Sequence, residues 1–477
     1  MPRLSELFPG ADDRFVSGVT ADSREVAPGF AFVAVPGVKA DGLSFVPQAV
    51  AAGAVAIVAE RQPEELPERV AFVKVPIVRH ALAMAASKLF PGQPETIIAV
   101  TGTSGKTSTT VFARQIWARL GLQAASLGTI GVVKPDGETY GSLTTPDPIS
   151  LHETLDGLAG EGITHLAMEA SSHGLEQNRL DGVKLAAGAF LNLSRDHLDY
   201  HPSMEAYFEA KMWLFSALMK PGQPAVIVDN DEWGGKAVAM ATSAKLKPIT
   251  TGGERRDIAL NKLERSPRGQ VLDVSFFGQR QQLELPLIGD FQAWNALAAA
   301  ALCIATGSDQ AKVLAALTQL AGVPGRLETV GSLRGASVVV DFAHKPEAII
   351  GVLAALRPYT PGRLIIVFGC GGDRDKGKRP LMGKAAVEGA DVVIVTDDNP
   401  RSEDPATIRA AIMAAAPGAI EIGDRATAIR EAIAMAKSGD LVLIAGKGHE
   451  TGQIVGNSVL PFSDQEVARA AIGEARG

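Results

Sequence analysis

An apolar run, Ile97 to Val100, leads into Gly102-Thr-Ser-Gly-Lys-Thr-Ser108, and a helical pattern follows from Lys106 to about Leu120. This strand, glycine turn and helix constrain the fold more tightly than any other stretch of the 477 residues. A helix that starts in such a turn offers its first N–H groups to solvent, and the glycines let the backbone close around an anion. Val100 stands where the general phosphate-loop pattern wants its first glycine, so the loop is a shorter variant, GTxGKT. Gly102, Thr103, Ser104, Gly105, Lys106, Thr107 and Ser108 are therefore expected to hold nucleotide phosphates, with Lys106 on the β- and γ-phosphates and Thr107 on Mg²⁺. The loop by itself leaves a GTPase switch, a kinase and a ligase open.

The rest of the chain reads as α/β throughout. A small α/β domain is expected over 1–95, with strands near Phe30 to Val35 and Ala54 to Val58. A Pro/Gly stretch, Leu89 to Pro94, closes it. Residues 96–322 form the central P-loop domain, a mostly parallel sheet with crossover helices. Strands are expected at Thr164 to Met168, Leu185 to Leu191 and Ala225 to Val228, with an antiparallel flap over 255–288 and an alanine-rich helix at Ala293 to Ile304. After Gly322-Val-Pro-Gly325, apolar runs at Ser337 to Phe342, Arg363 to Phe368, Asp391 to Thr396 and Leu441 to Ala445 predict a Rossmann-like sheet over 323–477. With 46% hydrophobic residues the chain can fill several cores. Lys+Arg 46 against Asp+Glu 53, net −7, argues against a generally basic nucleic-acid binder. Two distant cysteines, Cys303 and Cys370, fit a reducing compartment better than a disulfide scaffold or a zinc site. No secretory signal and no bilayer-length apolar run is present, so a cytoplasmic chain with no membrane partner is expected.

Other polar stretches bear on the chemistry. Glu169, in Met168-Glu-Ala-Ser-Ser-His-Gly174, ends an expected strand, where open α/β sheets bind ligands, and is a candidate for Mg²⁺. Ser171, Gln177 and Arg179 offer hydrogen bonds to an anionic, sugar-rich ligand. Asp196, His197, Asp199 and His201 crowd together after an apolar strand, a pattern that often marks a site. By spacing alone, Lys211 beside Tyr207 and Phe208 reads more readily as a solvated helix lysine than as a ligand. Asp398-Asn-Pro-Arg401 reads as a turn.

GTSGKTS, EASSHGL, LNLSRDHLDYH with the Ala-Lys pair at 210–211, and GDFQAWNALAA together resemble the Mur ligase family, which joins amino acids to a UDP-sugar peptide with ATP. The match runs from about Ser23 to Glu450. The resemblance implies that Lys211 is carbamylated by CO₂ and becomes an anionic ligand, so that Thr107, Glu169, His197 and the modified Lys211 hold magnesium. It makes Lys106, Lys211, His197 and Glu169 the catalytic set. It also places Asn295 on adenine, brings Arg326 to ATP, and has Asp341 (in DFAHKP) orient the nucleotide. Thr20 to Arg24 with Ser23, Gly37 to Gly42, and Leu143 to Asp147 with Thr144 and Thr145 resemble the uridine-nucleotide and muramoyl-dipeptide contacts; Ser171, Gln177 and Arg179 join them. The spelling departs from the family at Ser104, Gln292, Trp294, Phe342 and Lys345, which touches the adenine pocket more than the reaction.

Within the family, Asp398-Asn399-Pro400-Arg401 resembles the signature of members that add meso-diaminopimelate. An arginine there can clamp a carboxylate that lysine lacks. Arg374, Gly446 and Glu450 match the remaining contacts of that amino acid. The implied function is ATP-dependent addition of meso-2,6-diaminopimelate to UDP-N-acetylmuramoyl-L-alanyl-D-glutamate through an acyl phosphate, by a monomer whose partners are these small molecules. The alternatives are the same ligase with L-lysine, the later ligase that adds D-Ala-D-Ala, and a P-loop regulatory ATPase. Closure of the domains around the substrates is also expected.

Overall fold

The computed structural model describes residues 1–37, 41–139, 143–198, 200–266 and 269–475. By compactness the chain forms two units, one of Met1–Gly252 with Ala298–Val313, the other of Gly253–Leu297 with Leu314–Gly477.

The first unit holds two sheets. Four short parallel strands, Gly18–Thr20, Phe30–Val33, Ala56–Ala59 and Ala71–Lys74, lie side by side in chain order. Their side chains point alternately to two faces: Ala31, Val33, Ala56 and Val58 meet the helix Val78–Leu89, while Phe32 and Ile57 meet the helix Val46–Ala51. The strand expected at Phe30 to Val35 thus ends at Val33.

The second sheet is built around Thr96–Thr101, which pairs in parallel with Leu185–Phe190 on one side and His165–Glu169 on the other. Pro224–Val228 and Lys247–Gly252 extend it in parallel beyond Leu185–Phe190. On the other side Ala124–Gly128 pairs in parallel with His165–Glu169, then turns back through Gly131–Lys134. Ile97, Ile98, Ala99 and Val100 are all fully buried, as a parallel strand covered on both faces requires. Because the strands run the same way, the loops after Thr101, Gly128, Glu169 and Phe190 emerge at one edge, and the candidate residues lie there.

The second unit contains a three-stranded antiparallel meander, Ile258–Ser266, Gly269–Phe276 and Gln279–Leu285, in the expected flap region. Its main sheet runs in the order Glu328–Leu333, Ala336–Asp341, Leu441–Ala445, Leu364–Phe368, Val392–Val395, Ile420–Glu421. Only the pairing of the first two strands is antiparallel. Apolar clusters fill both faces, one against the helices Pro346–Leu356 and Lys378–Gly389, the other against Arg425–Met435 and Asp464–Glu474. Helix Asp290–Ala305 starts three residues before the expected Ala293. No helix among the described residues is long and apolar enough to cross a membrane.

Candidate active site

The phosphate loop closes as the sequence suggests. Gly105 has φ +82°, a left-handed conformation that favours glycine, and it leads into helix Lys106–Arg119 with no side-chain cap on its N-terminus. The first-turn N–H groups therefore point toward the space where phosphate would lie. Asn192, just past the neighbouring strand, braces the loop. Its Oδ1 accepts from the Ser104 N–H at 3.0 Å, its carbonyl accepts from the Thr103 N–H at 3.0 Å, and its Nδ2 donates to the Ser104 carbonyl at 3.2 Å. The Ser194 N–H donates to Thr103 Oγ1 at 3.0 Å.

Two lysines converge on one carbonyl. Lys106 Nζ donates to Gly102 O at 2.8 Å and Thr103 O at 3.0 Å, and Lys211 Nζ donates to the same Gly102 O at 2.9 Å. Lys211 is 1% exposed and stacks its ammonium over the Tyr207 ring at 4.3 Å. It is therefore not the solvated helix lysine that spacing alone favoured. Burial, then the Lys106 charge, push the Lys211 ammonium well below its ordinary value, while Asp196 opposes them. A shift in this direction favours the neutral amine, which is the nucleophilic form.

Glu169 stands at the end of its strand, 1% exposed. Its Oε1 accepts from Thr107 Oγ1 at 2.8 Å and from the Thr129 N–H at 2.9 Å, and its Oε2 accepts from Thr129 Oγ1 at 3.3 Å. The carboxylate thus sits against the hydroxyl expected to meet the metal. Thr129 was not singled out from the sequence; the signal was the Gly-Thr-Ile-Gly turn after Ala124–Gly128. A hydrogen-bonded chain continues from there. Thr129 Oγ1 meets Thr144 Oγ1 at 3.1 Å, Thr145 Oγ1 donates to Glu169 O at 3.0 Å, and Ser171 Oγ donates to Thr145 Oγ1 at 3.1 Å. Arg179 bonds Thr145 O at 2.7 Å and Gln177 Oε1 at 2.8 Å. Thr144, Thr145, Ser171, Gln177 and Arg179 therefore form one polar rim with Glu169. Ser23 lies in the turn after strand Gly18–Thr20, where its Oγ donates to Gln48 Oε1 at 3.1 Å.

His197 occupies a bend with φ +52°, about half exposed, its ring 5.1 Å from His173 and 6.1 Å from Tyr207. His201 is instead buried, with Nε2 3.0 Å from Ser172 Oγ and its ring stacked on Tyr207. Its ring is thus packed into the base of the polar cluster, while that of His197 is half exposed. Asp199 and residues 38–40 lie outside the described residues. No group of three His, Cys, Asp or Glu side chains among the described residues is arranged to hold a metal. The oxygen donors Thr107 and Glu169 suit a hard cation such as Mg²⁺. His197 and a carbamate on Lys211 would complete the set.

The second cluster lies in the other unit, at the C-terminal ends of Leu364–Phe368, Val392–Val395 and Leu441–Ala445. A cavity of ≈ 540 Å³ opens there, lined by Arg374, Asp398, Asn399, Arg401, Gly446 and Glu450 among others. Every expected residue of this set except Pro400 lines it. His344, Lys378 and Cys370 also face it and were not assigned from the sequence. Arg401, at φ +52°, donates from Nη1 to Gly372 O at 2.9 Å; its Nε and Nη2 have no protein acceptor among the described residues. A Cβ at Gly371 would come within 2.7 Å of that Nη1, so the glycine there gives the guanidinium room. Gly446 has φ +121°, and a Cβ on it would lie 2.7 Å from Asp398 Oδ2. Burial, eased by the Asn399 amide bond at 2.9 Å, raises the Glu450 carboxyl above its ordinary range.

The residues expected on the nucleotide from this unit are held as follows. Asn295 Nδ2 donates to Gln292 Oε1 at 3.0 Å, and Gln292 Nε2 reaches Arg326 O at 3.4 Å. The guanidinium of Arg326 lies 5.1 Å from the Phe342 ring centre. Both Asp341 oxygens accept backbone N–H groups, from Leu327 at 2.8 Å and Ala343 at 2.9 Å. Asp341 therefore pins the segment that carries Arg326.

A phosphate loop on one sheet, and on another a cavity walled by guanidinium and carboxylates, define a nucleotide-dependent enzyme of amino-acid-like substrates. Three family models match successive segments: Mur ligase family, catalytic domain, over 15–89; Mur ligase middle domain over 100–303; and Mur ligase, glutamate ligase domain, over 325–448. The chain is 54% identical to the UDP-N-acetylmuramoyl-L-alanyl-D-glutamate--2,6-diaminopimelate ligase of Agrobacterium fabrum, over 100% of this chain and 97% of that protein. It is 56% identical to the ligase of the same name from Bradyrhizobium diazoefficiens, over 96% and 95%. A solved structure with that ligase name covers 100% of this chain and 99% of its own, at 34% identity and TM-score 0.77. A MurF ligase from Thermotoga maritima solved with ADP shares the fold, at 21% identity and TM-score 0.59, over 96% of each chain. This protein belongs to the Mur ligase family.

Proposed function

We propose that this chain is the ATP-dependent ligase that adds meso-2,6-diaminopimelate to UDP-N-acetylmuramoyl-L-alanyl-D-glutamate, releasing ADP and phosphate, in peptidoglycan synthesis. One observation carries the choice of amino acid. Arg401 leaves Nε and Nη2 unused at a cavity that Asp398 and Glu450 also line. A guanidinium edge beside two carboxylates suits the distal centre of diaminopimelate, which bears one carboxylate and one ammonium. L-Lysine would leave the guanidinium without an anion. The names of the full-length relatives support the same reading. Residues 1–95 would hold the UDP-sugar, 96–322 the ATP, and 323–477 the incoming amino acid.

The free D-glutamyl carboxylate attacks the γ-phosphorus, the bond to the β-bridging oxygen breaks, and ADP leaves. Lys106 leaves its resting contacts on Gly102 and Thr103 to meet the phosphates, and the helix N-terminus after Gly105 faces them. Thr107, Glu169, His197 and a carbamylated Lys211 would hold magnesium, which would supply charge neutralisation between two anions. The carbamate forms when neutral Lys211 Nζ attacks CO₂ and releases a proton. Thr144, Thr145, Ser171, Gln177 and Arg179 orient the dipeptide. The neutral amine of diaminopimelate then attacks the acyl carbon, the acyl C–O bond to phosphate breaks, and an amide is left, the amine's proton ending on the departing phosphate. The test is incubation with ATP, the UDP-muramoyl dipeptide and either amino acid, followed by product mass. The diaminopimelate tripeptide is expected; an exclusively lysine-containing product overturns the choice, and dipeptide-independent ATP hydrolysis with no tripeptide overturns the reaction.

A further inference from the structure

Behind the wall of the amino-acid cavity lies a cation that does not line it. Lys447 is 0% exposed. Its Nζ donates to Asn399 Oδ1 at 2.9 Å and to Gly452 O at 2.8 Å, and lies 3.5 Å from Asp398 Oδ1 and 3.9 Å from Glu450 Oε2. A buried ammonium is costly unless it is matched by acceptors and charge, and here the acceptors belong to the residues that build the wall.

Asn399 is the joint. Its Oδ1 accepts from two donors, Lys447 Nζ and the Ile454 N–H at 2.9 Å, so its Nδ2 must face the other way, where it donates to Glu450 Oε2 at 2.9 Å. The hairpin Gly452–Val455 with Ser458–Pro461 is tied in at the same point. The Arg401 N–H donates to Ile454 O at 3.1 Å and the Gly456 N–H to Arg401 O at 2.7 Å. The bonds of Lys447 to Asn399 and Gly452 thus brace the left-handed turn that presents Arg401.

The charges close the case. Glu450 faces the carboxylate of Asp398 and the cations of Lys447 and Arg401; Arg425, with Asp464 as partner, lies behind them. Without the buried ammonium, Asp398 and Glu450 would face each other with only Arg401 and Arg425 to offset their repulsion.

We propose that Lys447 is a positioning residue for amino-acid selection, holding Asn399 and keeping the Asp398–Glu450 wall anionic so that it accepts the distal ammonium of the incoming diamino diacid. The inference rests on the reading of that cavity as the diaminopimelate site.

The test compares wild type, Lys447→Met, Lys447→Arg and Asn399→Asp in the full chain, with KM measured separately for diaminopimelate and ATP across pH 5.5 to 9, in steps of about one pKa width. For Lys447→Met, KM for diaminopimelate is expected to rise about tenfold or more with KM for ATP unchanged. The acid limb of kcat/KM for diaminopimelate should shift to higher pH, because Glu450 then ionises less readily. Lys447→Arg should recover part of both. Asn399→Asp keeps the acceptor for Lys447 but sets oxygen against Glu450 Oε2, and should reproduce the shift even if Lys447→Met does not fold. If the variants lose only thermal stability, or if both KM values and kcat fall together with no change of pH limb, Lys447 is structural and the inference is overturned. A wild type that makes no diaminopimelate tripeptide overturns the underlying reading instead, and the inference with it.

Discussion

Lys211 shows what a single residue can be made to do by its surroundings. The unfolded chain would protonate it near the ordinary 10.5, and burial with Lys106 nearby holds the folded value well below that. Between those two values the unfolded state binds more protons, so the unmodified lysine costs stability at neutral pH, and the cost fades as pH climbs toward 10.5. Lys211→Met removes that cost together with the amine. Its thermal midpoint is expected to equal or exceed wild type, while ATP-dependent amide formation falls by roughly 10²-fold or more. Calorimetry and phosphate release measure the two effects; wild-type turnover would remove this lysine from the reaction. Glu169 is held just as closely. A Cβ at Gly128 would lie 2.1 Å from its Oε1. Gly128→Ala is expected to push the carboxylate off Thr107 and Thr129 and lower turnover by about 10²-fold, at a stability cost of about 1–3 kcal/mol. Denaturant titration beside steady-state rates separates the two.

Between elements, the decisive contact of the second unit is the ion pair of Arg425 with Asp464, both side chains 0% exposed. Arg425 begins the helix Arg425–Met435 and Asp464 begins Asp464–Glu474, so the pair joins two helix N-termini on one face of the sheet. Arg425 also donates to Ala445 O at 3.0 Å and to Asp397 O at 3.3 Å, the strand ends that carry the cavity wall. Arg425→Met leaves Asp464 buried without a partner and is expected to cost about 3–5 kcal/mol in urea denaturation. The double variant with Asp464→Leu should recover most of that loss, since an apolar pair needs no compensating charge. A double variant as unstable as the single one would show that the backbone bonds of Arg425, rather than its ion pair, hold the sheet edge.

At the scale of the whole molecule, the phosphate loop lies in one compact unit and the cavity proposed for the amino acid in the other. Acyl-phosphate formation and amine attack are therefore separable by substitution. Arg401→Ala is expected to weaken diaminopimelate by about 2–5 kcal/mol. It should leave positional isotope exchange in ATP, driven by the UDP-muramoyl dipeptide without any amine, close to wild type. Loss of that exchange in Arg401→Ala would show that the cavity serves the phosphoryl step as well. A chain of net charge −7 that handles anionic substrates must concentrate its cations locally, as Lys106, Arg374 and Arg401 do.

Much of this was legible in the residues because it is local. A glycine turn between an apolar strand and a helix makes a phosphate cradle wherever it occurs, and apolar runs separated by helical patterns specify parallel sheets, so the strand at Thr96–Thr101 and the Leu441–Ala445 run were readable to within a residue or two. Asp398-Asn399-Pro400-Arg401 was readable only as a turn, or through its likeness to a family. What sequence could not supply were the partners distant along the chain. Thr129 on Glu169, Asn192 under the phosphate loop, Lys447 behind Asn399 and His201 against Ser172 all depend on segments that are neighbours in space and not in order. The fate of Lys211 depends on how much water the fold removes around one ammonium. Burial is a property of the packed molecule, and it decides whether a lysine is a surface charge or a reactive amine.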